Sequence, residues 1–197
     1  LSGYAANFGS DAVPKTIDIT GEVNNHNQTI SLSNNNRPFT LGFNLVGNPY
    51  PSPIDWDATV GWSRVNVEDA IYFFDASSTD YYGGTYSAYI NGISTNGIAS
   101  NLISAMQGFF VHVSDGAYPV AATLEINNAV RTNDLVPVFH KTATGSQPFI
   151  RLKATNTANE TSSDALVIYF DDGASGTYNP ERDALKLMNT DNVVPSF

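Results

Sequence analysis

Three histidines, nineteen acidic residues and no cysteine bound the chemistry this chain can carry. Without cysteine there is no disulfide, no thiolate nucleophile and no zinc–thiolate site. Nucleophilic hydrolysis needs a Ser, a His and an acid, with the Ser on a sharp turn. No Gly-x-Ser-x-Gly occurs, and the histidines are scattered. His26 lies in an Asn-rich turn, His112 inside an apolar run and His140 in a polar stretch. His112 reads as an ordinary hydrogen-bonded strand residue. Asp55 and Asp57 flank Trp56. Alternation along a strand puts both carboxylates on one face. Such a pair suits a glycoside hydrolase, whose two carboxyls stand about 5–9.5 Å apart. It equally suits a solvated corner or a cation. Asp171, Asp172 and Asp183, with Asn179 and Glu181, form a second acidic group. Hard cations take oxygen ligands from such loops, which makes calcium the candidate ion. The spacing lacks the EF-hand pattern, and a charged hairpin loop explains it as well. Trp62, Tyr81, Tyr82, Tyr86 and Tyr89 are the candidate ligand-binding aromatics. On one flat surface they would stack sugar rings, with Asn and Asp supplying hydrogen bonds. The plainer alternative packs them in the core. No phosphate loop, dinucleotide fingerprint or zinc spacing is present.

The elements that must position these residues read as β-strands. Gly108 to Val113, Ala70 to Asp75, Leu41 to Val46 and Phe149 to Ala154 are short, aromatic or alternating runs. Ala165 to Phe170 is continuously apolar, as in a central strand buried on both faces. Weaker strand signals lie at Gly3 to Phe8, Lys15 to Thr20, Gln28 to Leu32, Ala122 to Ile126, Pro137 to His140 and Ala184 to Leu187. Asn101 to Met106 suits a helical turn. Turn residues separate the runs: Asn34 to Asn36, Tyr82-Gly83-Gly84, Asn96-Gly97, Asp115-Gly116 and Asp172-Gly173. This spacing predicts an all-β fold, a β-sandwich or jelly-roll-like pair of antiparallel sheets. Asn127 to Pro148 is polar and turn-rich. It suggests a β-sandwich domain over 1–130 and a second, smaller β unit over 131–197, incomplete or sharing the first core.

Bulk properties agree. At 197 residues the chain can bury roughly 70% of its unfolded surface without staples. Charged residues make up 14%, against about 25% for an average domain. Uncharged Asn, Ser, Thr, Gly and Tyr take their place. A net charge of −10 argues against nucleic acid and against an anionic membrane surface. No apolar run nears the ~18 residues of a membrane span. The chain begins at Leu1 with no initiator Met and no signal peptide, and reads as a mature or excised piece of a longer chain.

Residues 42–57 run Gly-Phe-Asn-Leu-Val-Gly-Asn-Pro-Tyr-Pro-Ser-Pro-Ile-Asp-Trp-Asp. A strand ends at Gly47. Pro49, Pro51 and Pro53 then hold the chain extended, because each ring fixes φ. Tyr50-Pro51 is a candidate cis peptide, and Ile54 and Trp56 return to the core. The plain reading is a rigid corner of a β-sandwich.

The same stretch resembles the "GWNLVGNPYPSPIDW" signature of large secreted Bacteroidetes proteins, where it precedes the C-terminal sorting signal of the type IX secretion system. Further landmarks match in order. Ala70 to Asp75 resembles "TIYVWD", and Met106 to Val111 resembles "MQGFFV". Arg131 with Phe139 and Lys141 resembles "R…F.K". Ile150 to Leu152, Ala165 to Phe170 and Asp183 to Leu187 resemble "LRL", "DEVVVYF" and "DAYKL". Phe43 stands where Trp is usual, and Ala165-Leu166 where an acidic pair is usual. The resemblance implies export across the outer membrane and a place in a longer surface protein. It implies no reaction. The expectation is a non-catalytic structural or adhesive accessory module with no cofactor beyond calcium, and with a glycan or surface protein as partner. A carbohydrate-binding module around residues 81–89 is the first alternative and a carboxylate-pair glycoside hydrolase the second.

Overall fold

A computed structural model describes residues 1–6, 16, 18, 20–76, 82–133, 147–191 and 193–197. Twelve strands and one 3₁₀ turn follow in order. They are β1 (Gln28–Asn34), β2 (Phe43–Gly47), β3 (Ile54–Asp55), β4 (Trp62–Val65), β5 (Val67–Ala76) and β6 (Gly84–Ile90), then β7 (Ile93–Ser94), β8 (Leu102–Ile103), β9 (Gly108–Val113), β10 (Val120–Ile126), the 3₁₀ turn Asn128–Val130, β11 (Phe149–Asn156) and β12 (Asn159–Tyr169). The described residues contain no α-helix. Every strand pairing is antiparallel. The fold is all-β and sandwich-like.

A five-stranded sheet runs β2-β9-β5-β6-β7 and a three-stranded sheet β1-β10-β4. Alternation explains why they pack on each other. Phe109, Val111 and Val113 of β9 and Ile71 and Phe73 of β5 face inward, with Leu124 and Ile126 of β10 opposite, all in one buried cluster. Tyr50, Ile54 and Trp56 from the proline corner complete that core, at 0–2% exposure. The other face of the five-stranded sheet is apolar too. Ala70, Tyr72, Ala88 and Ile90 form a second cluster there, covered by Ala184 and Leu187. A sheet buried on both faces explains the run Ala70 to Phe73, where inward and outward residues are equally apolar.

Several expectations need correction. Gly84 to Ile90 is a strand where none was expected, and Tyr82-Gly83 before it lies outside the strands, as a turn signal predicts. Asn101 to Met106 forms no helical turn, since Leu102–Ile103 pairs with Ile54–Asp55. Ala184 to Leu187 is not a strand, although it packs on one. Ala165 to Tyr169 lies in the two-stranded sheet β11-β12, where Ile168 is 48% exposed, so it is no central strand. Tyr118-Pro119, not Tyr50-Pro51, is the cis peptide among the described residues. Pro137 to His140, half of Lys15 to Thr20, and the end of Gly3 to Phe8 lie outside the described residues.

Candidate functional site

The expected site residues fall in three places. The proline corner (Trp56, Asp57), β4 (Trp62, Arg64), β5 (Asp69) and the β6–β7 turn (Asn91) surround an open cleft of about 630 Å³. The two indoles meet edge to face, with centroids 4.7 Å apart. Trp56 donates its indole N–H to the Asp69 carbonyl at 2.7 Å, and Trp62 donates to the Asp55 carbonyl at 2.8 Å. The Arg64 guanidinium lies 3.7 Å from the centroid of the Trp56 ring, bonds the Trp56 carbonyl at 2.5 Å and pairs with Asp69 at 3.2 Å. Trp56 is buried, while Trp62 is half-buried and borders the cleft.

The two carboxylates expected as a pair have separate duties. Asp55 accepts from the Asn101 amide at 2.7 Å and from the Asp57 N–H at 2.9 Å. Asp57 accepts from the Tyr89 hydroxyl. Burial raises the Asp57 pKa, and the Asp55 charge adds to it against the Tyr89 hydrogen bond and Arg64. Tyr89 is raised by burial and by its bond to Asp57.

The expected aromatics do not share a surface. Strand alternation along β6 sends Tyr89 into the core between the sheets and Tyr86 to the opposite face. There Tyr86 packs against Phe74 and Phe110, with centroids 4.9 and 5.8 Å away. Tyr82 is 79% exposed, and Trp62 belongs to the three-stranded sheet. Tyr81 lies outside the described residues.

In the acidic loop, Asp171 and Asp183 each have a local partner. Asp171 pairs with Arg182 at 2.5 Å and accepts from the Gly173 N–H at 2.6 Å. The Gly173 hydrogen bond, with the Arg182 charge, holds its carboxyl below the usual range. Asp183 accepts from the Asn179 N–H at 2.7 Å. Asp172 is exposed. Among the described residues no group of three His, Cys, Asp or Glu stands ready to hold a metal ion. Calcium at Asp171 would have to displace a guanidinium.

Sequence reasoning missed a buried ionic cluster beneath the C-terminal segment. Glu68 and His112 are 4% and 1% exposed. His112 Nε2 donates to the Leu41 carbonyl at 2.8 Å, which leaves Nδ1 facing Glu68. That nitrogen lies 2.9 Å from Glu68 Oε2, an ion-pair distance without the alignment of a good hydrogen bond. The Tyr178 hydroxyl donates to the same carboxylate at 2.5 Å. Burial opposes the His112 charge, but Glu68 and the Leu41 carbonyl outweigh it and raise the pKa. A signal was available: Glu68 and His112 are both polar residues within apolar strands. Nothing in the sequence paired them. Arg131, whose Nε bonds Ser52 Oγ at 2.8 Å, clamps the proline corner in the same unannounced way.

The chain belongs to a family described as a domain of unknown function (DUF8693), whose model matches residues 3–195. That single match runs across the boundary expected near residue 130. No curated protein and no solved structure matches the chain.

Proposed function

We propose that this chain is a non-catalytic structural or adhesive module of a secreted or cell-surface bacterial protein, exported across the outer membrane by the type IX route. The observation that carries the non-catalytic part is how the signature corner spends its polar groups. The Asn48 amide donates to the carbonyls of Ser52, Ile103 and Ser104, and its oxygen takes the Tyr50 N–H. Tyr50 donates to the His26 carbonyl, Trp56 to Asp69, and Asp55 accepts from Asn101. Donors engaged in this way fix a corner and have no proton left to offer a substrate. The resemblance of residues 42–57 and its ordered landmarks support the export route and a place in a longer chain.

Two measurements test this. Membrane-impermeant biotin on intact cells making the parent protein should label this region, and labelling only after lysis would overturn the export. A panel of p-nitrophenyl glycosides and esters should show no turnover above blank. Turnover abolished by Asp57→Asn would instead establish the carboxylate pair as catalytic.

A second reading, a carbohydrate-binding module, is favoured by the cleft at Trp62 rather than by residues 81–89. A half-buried indole beside Asp57, Asp69 and Asn91 offers an apolar face and hydroxyl partners to one sugar ring. A glycan array with the wild type and Trp62→Ala tests it. Binding lost in the variant supports a sugar site, and no binding by the wild type removes it.

A further inference from the structure

The apolar outer face of the five-stranded sheet is covered incompletely. Between it, the β11-β12 hairpin and residues 184–187 lies a cavity of about 270 Å³. Ala88 and Ile90 form its floor, Leu166 and Ile168 one wall and Leu187 another. Tyr72 also lines it. This residue is 1% exposed, and its hydroxyl has no hydrogen-bond partner of good geometry among the described residues. The Leu185 backbone and the Glu68 charge act on the phenol without a hydrogen bond to it, so the hydroxyl's own hydrogen is left over. A buried donor without an acceptor is costly, and native structures rarely leave one idle.

The charged groups around the cavity are not idle. Arg182 holds Asp171, Lys186 holds Asp164 at 2.6 Å, and Asp183 takes the Asn179 N–H. A charged ligand would have to break one of these pairs, and a neutral one would not. Ile168, 48% exposed, would lose water contact when the space is filled. A dry cavity of about 150 Å³ already holds benzene, so this one takes a ring with a substituent.

We infer that this cavity binds a small, flat, neutral molecule carrying one hydrogen-bond acceptor, such as an aryl ketone, ester or ether, with the acceptor on the Tyr72 hydroxyl. The site lies on the opposite face of the sheet from the Trp62 cleft and does not rest on the function proposed above.

Acetophenone, titrated into the ¹⁵N-labelled chain, is the probe. Ethylbenzene is its partner of similar shape without an acceptor. Acetophenone should give saturable amide shifts centred on Tyr72, Ile90 and Leu187, with Kd of order 1 mM. Tyr72→Phe should weaken it about five- to tenfold, the value of one hydrogen bond, and leave ethylbenzene unchanged. The same variant should match or exceed the wild-type Tm, because it removes an unsatisfied buried hydroxyl. Ala88→Leu, with a native-like spectrum, should abolish both by filling the floor. The inference is overturned if acetophenone gives no saturable shifts, if its shifts centre on Trp62, or if Tyr72→Phe binds it as tightly as the wild type. The last result would mean that water alone satisfies the phenol.

Discussion

Asn48 has one side-chain amide, and around it the chain reverses direction. Its nitrogen reaches three carbonyls at 2.9–3.2 Å, and its oxygen takes a backbone N–H at 2.9 Å. The residue is 3% exposed, so water cannot readily replace it. Asn48→Ala should therefore cost about 2–4 kcal/mol, since stranded buried groups cost more than an average hydrogen bond gains. Urea unfolding checks this, and a loss below about 1 kcal/mol would show that water enters the corner. Gly42 makes a different demand. Its φ is +82°, and a Cβ there would stand 2.5 Å from Asn34 Nδ2 and 2.8 Å from His112 Nε2. Gly42→Ala should cost about 1–3 kcal/mol through strain and collision. It should also shift the His112 imidazole resonances in an NMR titration, because the collision falls on the nitrogen that bonds Leu41. Unshifted resonances would mean that the turn moves aside alone. Asn48, just before Pro49, carries a turn signal in the sequence, whereas Gly42 reads as part of the run Leu41 to Val46. The carbonyls that Asn48 reaches lie up to 56 positions away, and local pattern does not reach that far.

The β11-β12 hairpin shows what period-two reading captures and what it leaves out. Phe149 to Ala154 alternates, and the strand forms with Ile150 opposite Ile168 and Leu152 opposite Leu166. Alternation predicts a strand with an apolar face, but burial depends on what lies against that face. Ile150 and Leu152 remain 48% and 42% exposed. The continuous apolar run after Ala165 has the same ambiguity. A continuously apolar run is buried on both faces at Ala70 to Phe73, but here it belongs to a hairpin with little cover. Tyr86 and Tyr89 show the converse. Their three-residue spacing puts them on opposite faces once Gly84 to Ile90 is a strand, but the preceding glycines read as a loop. Asn91-Gly92, at φ +48° and +83°, is the tight turn that returns this strand to β7, and reading the sequence for turns missed it. A two-stranded sheet is marginal alone, so the hairpin depends on its tethers. Arg151 donates to the Ser94 and Thr95 carbonyls, each at 3.0 Å, and Asp164 holds Lys186. Arg151→Ala should speed amide exchange across 149–169 about tenfold or more, with rates in β5 and β9 unchanged. Uniform acceleration would mean that the hairpin and sandwich open as one unit.

Three titratable groups, of which His112 and Asp164 are buried and Asp57 is exposed at the surface, set how the whole molecule responds to pH. His112 has its folded pKa raised above the ordinary 6.5, because Glu68 and the Leu41 carbonyl outweigh burial. Its contribution is fully present below 6.5 and is lost as pH rises through the folded value. Asp57 is raised above 3.8 by burial and the Asp55 charge, so the folded state disfavours its ionised form. Stability is therefore gained as pH falls through that folded value. Asp164 works in the opposite sense. Burial opposes its charge, but Lys186 and the Phe197 N–H lower its pKa below 3.8. Its contribution is present above 3.8 and is lost as pH falls through the folded value. The net charge of −10 adds a diffuse push in the same direction as the first two, since mild acid relieves self-repulsion. The thermal midpoint should therefore peak in mild acid, between 3.8 and 6.5. It should decline on the alkaline side as His112 deprotonates, and on the acid side as the Asp164–Lys186 bridge is lost. Scanning calorimetry from pH 3 to 9 reads the curve. His112→Gln should flatten its alkaline limb and leave the acid limb in place, while Asp164→Asn should do the reverse. A midpoint that rises steadily from pH 5 to 8 would show that the buried histidine is neutral in the folded state and that Glu68 relies on Tyr178.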